Sequence, residues 1–207
     1  MNLPNKIQTI RSLSEFILKE KGSQFISHAF PVPSENEAIE KLNDVKKKYY
    51  NASHHCYAYK FADGKSKYSD DGEPSGTAGI RILNAINHFD LLDLTVIVTR
   101  YFGGTKLGVG LLGKTYYESA FHSLEEAERI SKTLFRRIQL IYPFELSNSI
   151  HNYLSKYSAK IEGTSFEKLP SIQALLPFEK YDFFIKEIDS IFGAKVKIND
   201  TENFLYL

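Results

Sequence analysis

The chain has 207 residues, of which 43% are hydrophobic and 25% charged; these are the proportions of an ordinary globular protein and exclude a disordered or fibrous one. Its formal net charge is +1, and residues 1–133 carry 17 Lys/Arg against 16 Asp/Glu while residues 134–207 carry 9 against 9, so no overall basic field marks a general nucleic-acid binder. One cysteine, Cys56, excludes an internal disulfide and fits a reducing compartment.

The first residues contain no long apolar run and no small-residue cleavage site, so no secretory signal is expected. Apolar stretches such as Leu94 to Val98 are far too short to span a bilayer. A cytoplasmic protein without membrane contact follows as the expectation.

In chain order, Ile7 to Ile10 and Phe25 to Ser27, with Lys21-Gly22-Ser23 between them, read as a hairpin or strand pair. Pro31-Val32-Pro33 ends it. Ser34 and Glu37 form a capping box, and Ala38, Ile39, Leu42 and Val45 follow at helical spacing. Lys46-Lys47-Lys48 suits the negative end of that helix and reads as a solvated terminus rather than a nucleic-acid patch. His54 to Phe61 is an aromatic-rich strand pattern, with a polar turn at Asp63 to Ser66. Ser69 to Gly79 is a loop leading into a helix near Ile80 to Asn87. Leu94 to Thr99 is the continuous β-branched run of a buried central strand. A glycine-rich loop leads from there into a helix from about Leu111 to Arg129.

The remainder predicts a strand over Phe135 to Glu145, a helix capped by Ser147, strands over Ala159 to Glu167 and Ser171 to Leu176, and a helix over Tyr181 to Phe192 that Gly193 ends. Residues 195–198 and 204–207 supply the last strand or strands. The order βαββαβ is ferredoxin-like. Two domains are expected, 1–133 and 134–207, in an α/β (α+β) chain.

Four segments carry residues capable of chemistry. In Ser69-Asp70-Asp71-Gly72-Glu73-Pro74-Ser75-Gly76-Thr77-Ala78-Gly79, three carboxylates lie within four residues. They fit a magnesium site, a ligand or partner contact, or caps on the following helix. Capping is the reading the pattern favours. His54-His55-Cys56 are metal-ligand types. Neighbours in a strand face opposite ways, however, so His54 and Cys56 would need further partners, and a packed strand is favoured over a catalytic thiol. Arg100-Tyr101-Phe102-Gly103-Gly104-Thr105-Lys106-Leu107-Gly108-Val109-Gly110 combines positive charge, glycines and an ensuing helix N-terminus, which fits anion binding or a tight crossover equally. Finally, Gly108 to Thr115 matches the phosphate-loop pattern G-x-x-x-x-G-K-[ST] letter for letter. The preceding strand ends near Thr99, and Val109, Leu111 and Leu112 read as a helix start, so no nucleotide loop is expected there.

Taken together, Lys21-x-Ser23-x-Phe25-Ile26, His54 to Tyr59, Ser69 to Gly79 and Arg100 to Gly104 with Leu107-Gly108 resemble the IMPACT family, including its bacterial YigZ-like members. The likeness runs through nearly all of residues 15–125. It implies for the first domain the fold shared with a ribosomal-protein domain, the fourth domain of elongation factor G and the ribonuclease P protein. For the second it implies a fold like the fifth domain of elongation factor G. Those relatives mostly touch RNA. The sequence departs from the family at Gln24, where a basic residue is usual, at Leu111, where Gly is usual, and at Gly113, where a Val-like residue is usual. The kinase-pathway role of eukaryotic members is not expected here.

The leading expectation is therefore a translation-associated regulatory protein that binds RNA or the ribosome, without cofactor or metal. One alternative is an enzyme acting on a phosphorylated small molecule through the Asp70–Thr77 and Arg100–Gly110 loops. Another is a module that binds a protein partner. The candidate binding residues are Asp70, Asp71, Glu73, Ser75, Gly76, Thr77, Arg100, Tyr101, Gly103, Gly104, Lys106 and Lys114.

Overall fold

A computed structural model describes residues 3–207 and divides them into two compact units, one of residues 7–131 and one of residues 3–6 with 132–207. The chain is α+β, with two antiparallel sheets.

The first unit takes in β1 (Lys6–Ile10) from Ile7 onward, and the Gln8 carbonyl of that strand accepts from the Leu92 N–H. Its main sheet contains β2 (Ser14–Glu20), β3 (Ser23–Pro31), β4 (His54–Lys60), β5 (Ser66–Ser69) and β6 (Leu94–Tyr101), in the order β2-β3-β6-β4-β5. The Lys21-Gly22 turn joins β2 to β3, so the N-terminal hairpin pairs residues 14–20 rather than 7–10 with β3. The β-branched run from Leu94 makes β6 the central strand, buried from Leu94 to Arg100.

Alternation along β6 sends its side chains to both faces. Val96 and Val98 join the core formed by α2 (Gly79–His88) and α3 (Val109–Glu125), with Ile82, Ile86, Tyr116 and Leu124 fully buried. Ile97 meets Leu42 and Val45 of α1 (Glu35–Lys48). The capping box forms at the start of α1, where Ser34 Oγ accepts from the Glu37 N–H at 3.3 Å. Each fully buried Val, Leu or Ile side chain in these layers contributes about 1.5–3 kcal/mol.

The second unit runs β7 (Arg129–Ile141), α4 (Ser147–Lys156), β8 (Lys160–Phe166), β9 (Pro170–Pro177), α5 (Tyr181–Phe192) and β10 (Lys197–Tyr206). Its antiparallel strands lie in the order β10-β7-β9-β8. Ile150 and Leu154 of α4 and Phe184 and Ile188 of α5 fill its core.

Several local expectations shift. Helix α3 stops at Glu125, and Arg129 already begins β7. Ser147 is the first residue of α4 rather than its cap; a 3-10 turn over Phe144–Leu146 precedes it, and the Ser147 hydroxyl donates to the Phe144 carbonyl. The last strand is continuous, with an irregularity between Asp200 and Phe204. No helix among the described residues is long and apolar enough to cross a membrane.

Candidate functional site

The acidic loop joins β5 to α2, and each of its carboxylates has its own protein partners. Asp70 Oδ1 accepts from the Ala78 and Gly79 N–H groups at 2.9 and 2.8 Å, and Oδ2 accepts from the Gly76 N–H at 2.9 Å. Asp70 thus satisfies the open donors at the start of α2 and sits at the positive end of its dipole. Gly79 is required there, because a Cβ would lie 2.7 Å from the Ser69 backbone. Asp71 Oδ2 accepts from the His55 N–H at 2.7 Å, and Oδ1 lies 3.2 Å from Lys46 Nζ. The Thr77 hydroxyl donates to the Pro74 carbonyl, which tightens the turn, whereas Ser75 points outward without such a contact and is exposed. The three carboxylates diverge, so they do not form one oxygen cage for a hard cation.

Glu73 is the exception in depth. It is 8% exposed, and its Oε1 accepts from Arg100 Nη1 at 2.7 Å and from the Tyr116 hydroxyl at 2.8 Å. Arg100 itself, a candidate binding residue in sequence for its positive charge beside a helix N-terminus, is 6% exposed. Strand register explains this placement: Arg100 stands between Phe25 of β3 and His54 of β4. Its guanidinium lies 5.4 Å from the Phe25 ring and 5.5 Å from the Phe102 ring, and Nη2 is 3.5 Å from Ser23 Oγ. The Arg100 Nε–H has no acceptor. The two signature loops therefore meet through a buried ion pair, and Arg100 is a structural clamp rather than a free surface cation.

Behind this pair, Cys56 Sγ lies 3.0 Å from the Asp70 carbonyl and 3.4 Å from the Tyr116 hydroxyl. Burial pushes the Cys56 thiol well above its usual range, and burial likewise pushes the Tyr116 hydroxyl up. Both groups stay protonated, so Cys56 is no thiolate nucleophile. Burial lowers the His55 imidazole, which remains neutral.

The glycine-rich loop is anchored at its start and open beyond. The Tyr101 hydroxyl donates to Asn51, the Phe102 N–H to Ser53 Oγ, and the Gly103 N–H to Ser23 Oγ at 3.1 Å. A Cβ on Gly103 would fall 1.9 Å from the Gly22 carbonyl carbon, so the loop crosses the β2–β3 turn in backbone contact that only glycine allows. Gly104 follows with φ +86°. Lys106 is exposed and, with Glu73, Arg100, Phe102, Leu107 and Leu112 among others, lines a cavity of about 360 Å³.

The apparent phosphate loop takes no loop form, since residues 109–115 are the first turns of α3, and the Thr115 hydroxyl donates to the Leu111 carbonyl. Lys114 projects from α3, pairs with Glu118 at 3.5 Å, and lines a second recess of about 340 Å³ with Arg81, Asn84 and Tyr117. Lys106 and Lys114 do not line the same cavity. Arg81 and Tyr116 lie outside the segments singled out in sequence, and Phe102, inside one of them, was not among the candidate binding residues. Gly113 was the available signal for Arg81: a Cβ there would come within 3.2 Å of Arg81 Nε, so the departure from the usual side chain leaves that guanidinium room.

Fold and site together define an α+β protein whose first unit clamps an acidic loop and a glycine-rich loop on one buried arginine–glutamate pair. The family model for the Impact N-terminal domain matches residues 21–124, the stretch that holds both loops and the pair. The chain belongs to the IMPACT family. It is similar to the IMPACT family member YvyE of Bacillus subtilis, 29% identical over 196 residues, covering 94% of this chain and 90% of that one. An IMPACT family member of Haemophilus influenzae is 30% identical over 156 residues, covering 71% and 73% respectively. A crystal structure described as that of a hypothetical protein aligns with a TM-score of 0.72 and 25% identity, covering 97% of this chain and all of that one.

Proposed function

We propose that this IMPACT-family protein is a cytoplasmic, translation-associated RNA-binding protein whose first unit contacts RNA through the glycine-rich loop and the start of α3. One observation carries the reading: Phe102, 49% exposed, is held against the buried Arg100 guanidinium and lines one cavity with the exposed Lys106. A fixed aromatic face beside a cation is the arrangement single-stranded nucleic acid uses, with bases stacking and phosphates neutralised. Lys114 and Arg81 add two further cations, while Arg100 contributes none because Glu73 neutralises it.

The fold adds support by analogy. The family resemblance implies for the first unit a fold like that of translation-machinery domains that contact RNA, and the βαββαβ order of the second is ferredoxin-like; both support the reading only as analogy. The enzyme reading gains little, since Glu73 and Tyr116 are bound to each other and the Cys56 thiol is held protonated.

The experiment is ultraviolet crosslinking in living cells followed by mapping of the attached peptide. RNA attached within residues 102–114 is the expected result. A second reading, a protein-binding module, rests on the same apolar exposure, with Val109 66% exposed beside Phe102. Protein crosslinks at these residues, with no RNA, would replace the first reading by the second.

A further inference from the structure

We infer that the cavity beside Phe102 is a pocket for one unstacked nucleobase, which makes the protein selective for single-stranded or bulged RNA; this inference rests on the RNA-binding reading. The cavity has both halves of what a base requires. Leu107 and Leu112 give it buried apolar walls, and exposed Phe102 and Val109 stand at its rim. At about 360 Å³ it lies near the lower end of small-ligand cavities, which run from about 300 to 1,000 Å³, and suits a single ring system rather than a longer segment.

The polar wall is the informative part. Arg100 and Glu73 both line the cavity, and their pairing leaves capacity on each side. Glu73 Oε1 accepts from Arg100 and Tyr116, whereas Oε2 has only the distant His54 Nε2, at 3.9 Å. The Arg100 Nη2 contact to Ser23 is long at 3.5 Å, whereas its Nε–H, also without an acceptor, is closed off from the surface. An arginine this deeply buried ordinarily has its donors satisfied. The wall therefore offers the Glu73 Oε2 acceptor beside the loosely held Arg100 Nη2 donor. Every nucleobase presents an N–H donor next to a ring or carbonyl acceptor on its pairing edge, so the wall complements that edge without choosing among bases. Phe102 supplies the stacking face, and Lys106 is placed to take the adjoining phosphate. A base inside a duplex has its pairing edge occupied and cannot enter.

The test compares a labelled single-stranded RNA of ten nucleotides with the same backbone carrying abasic sites, by fluorescence anisotropy at low salt. Wild-type protein is expected to bind the intact strand at least about fivefold more tightly, the lower end of what one stacked base contributes. Val109→Trp, which fills the rim from an exposed position, and Phe102→Ala, which removes the stacking face, are each expected to bind both strands at the abasic level. Lys106→Ala is expected to weaken both strands alike. Equal wild-type affinity for the two strands overturns the pocket while leaving RNA binding in place. So does a preference for the intact strand that survives both Val109→Trp and Phe102→Ala. No binding of either strand overturns the RNA reading and the pocket with it.

Discussion

The buried pair that joins the two loops makes a demanding prediction for Glu73→Gln. The side chains of Glu73 and Arg100 are 4% and 7% exposed, and their N···O separation is 2.7 Å. Glutamine keeps the shape and still accepts from Tyr116, but it leaves the Arg100 guanidinium charged, buried and without a counter-charge. Breaking a buried pair from one side costs about 3–5 kcal/mol, a large share of the about 5–15 kcal/mol that stabilises a typical domain. Replacing both partners with apolar residues, as in Glu73→Leu with Arg100→Met, removes the stranded charge and is expected to cost less than the single change. Urea unfolding, followed by far-ultraviolet circular dichroism and by hydrogen exchange at the β6 amides, reads both variants. A Glu73→Gln loss below about 1 kcal/mol would show that the pair is not desolvated as described. A double variant as damaged as the sum of its single changes would show that the two residues are not coupled.

Three further outcomes follow from the packing. Cys56 is expected to resist a disulfide-exchange reagent in the native protein and to react only as the first unit opens; full labelling within seconds in the absence of denaturant would contradict its burial. Gly103→Ala is expected to cost about 1–3 kcal/mol through overpacking against Gly22, visible as a lower urea midpoint, and an unchanged midpoint would contradict the backbone contact. Burial is the first cause that lowers both His28 and His55 from the ordinary value of 6.5. The unfolded chain therefore binds protons first, so their contribution is full above about pH 6.5 and is lost as pH falls below it. The urea midpoint is expected to be lower at pH 5.5 than at pH 7.5, with the difference reduced in His55→Gln; a flat profile in wild type would contradict it.

Elements with strong local signals were legible in the sequence. The β-branched run at Leu94 gave the central strand, Ser34 with Glu37 the start of α1, and Phe184, Ile188 and Gly193 the face and end of α5. Weak local signals were not. Strand β5 is four residues, Ser-Lys-Tyr-Ser, whose pairing with β4 comes from the sheet rather than from propensity. Helix α3 ends earlier than its periodicity indicates, because Arg129 is drawn into β7.

The site was legible as two loops and opaque as a geometry. Capping by Asp70 follows from its place before a helix. Pairing of Glu73 with Arg100 spans 27 residues of sequence and depends on the register of three strands. A sequence shows Arg100 as a cation and cannot show that it is buried and neutralised. Arg81 and Tyr116 carry no motif of their own, and the motif that holds Phe102 does not say which way its ring faces; all three matter because of what the folded chain sets beside them.

The salt dependence of RNA binding tests the central claim most directly. Arg81, Lys106 and Lys114 are the proposed phosphate contacts, and at about 0.7 per contact on a single strand they give a log–log slope of about 2 in magnitude. Wild-type protein is expected to show that slope, and Lys106→Ala with Lys114→Ala to bring it below about 1 while the circular dichroism spectrum is unchanged. An unchanged slope in the folded double variant, or no wild-type binding even at low ionic strength, would contradict RNA recognition by this loop.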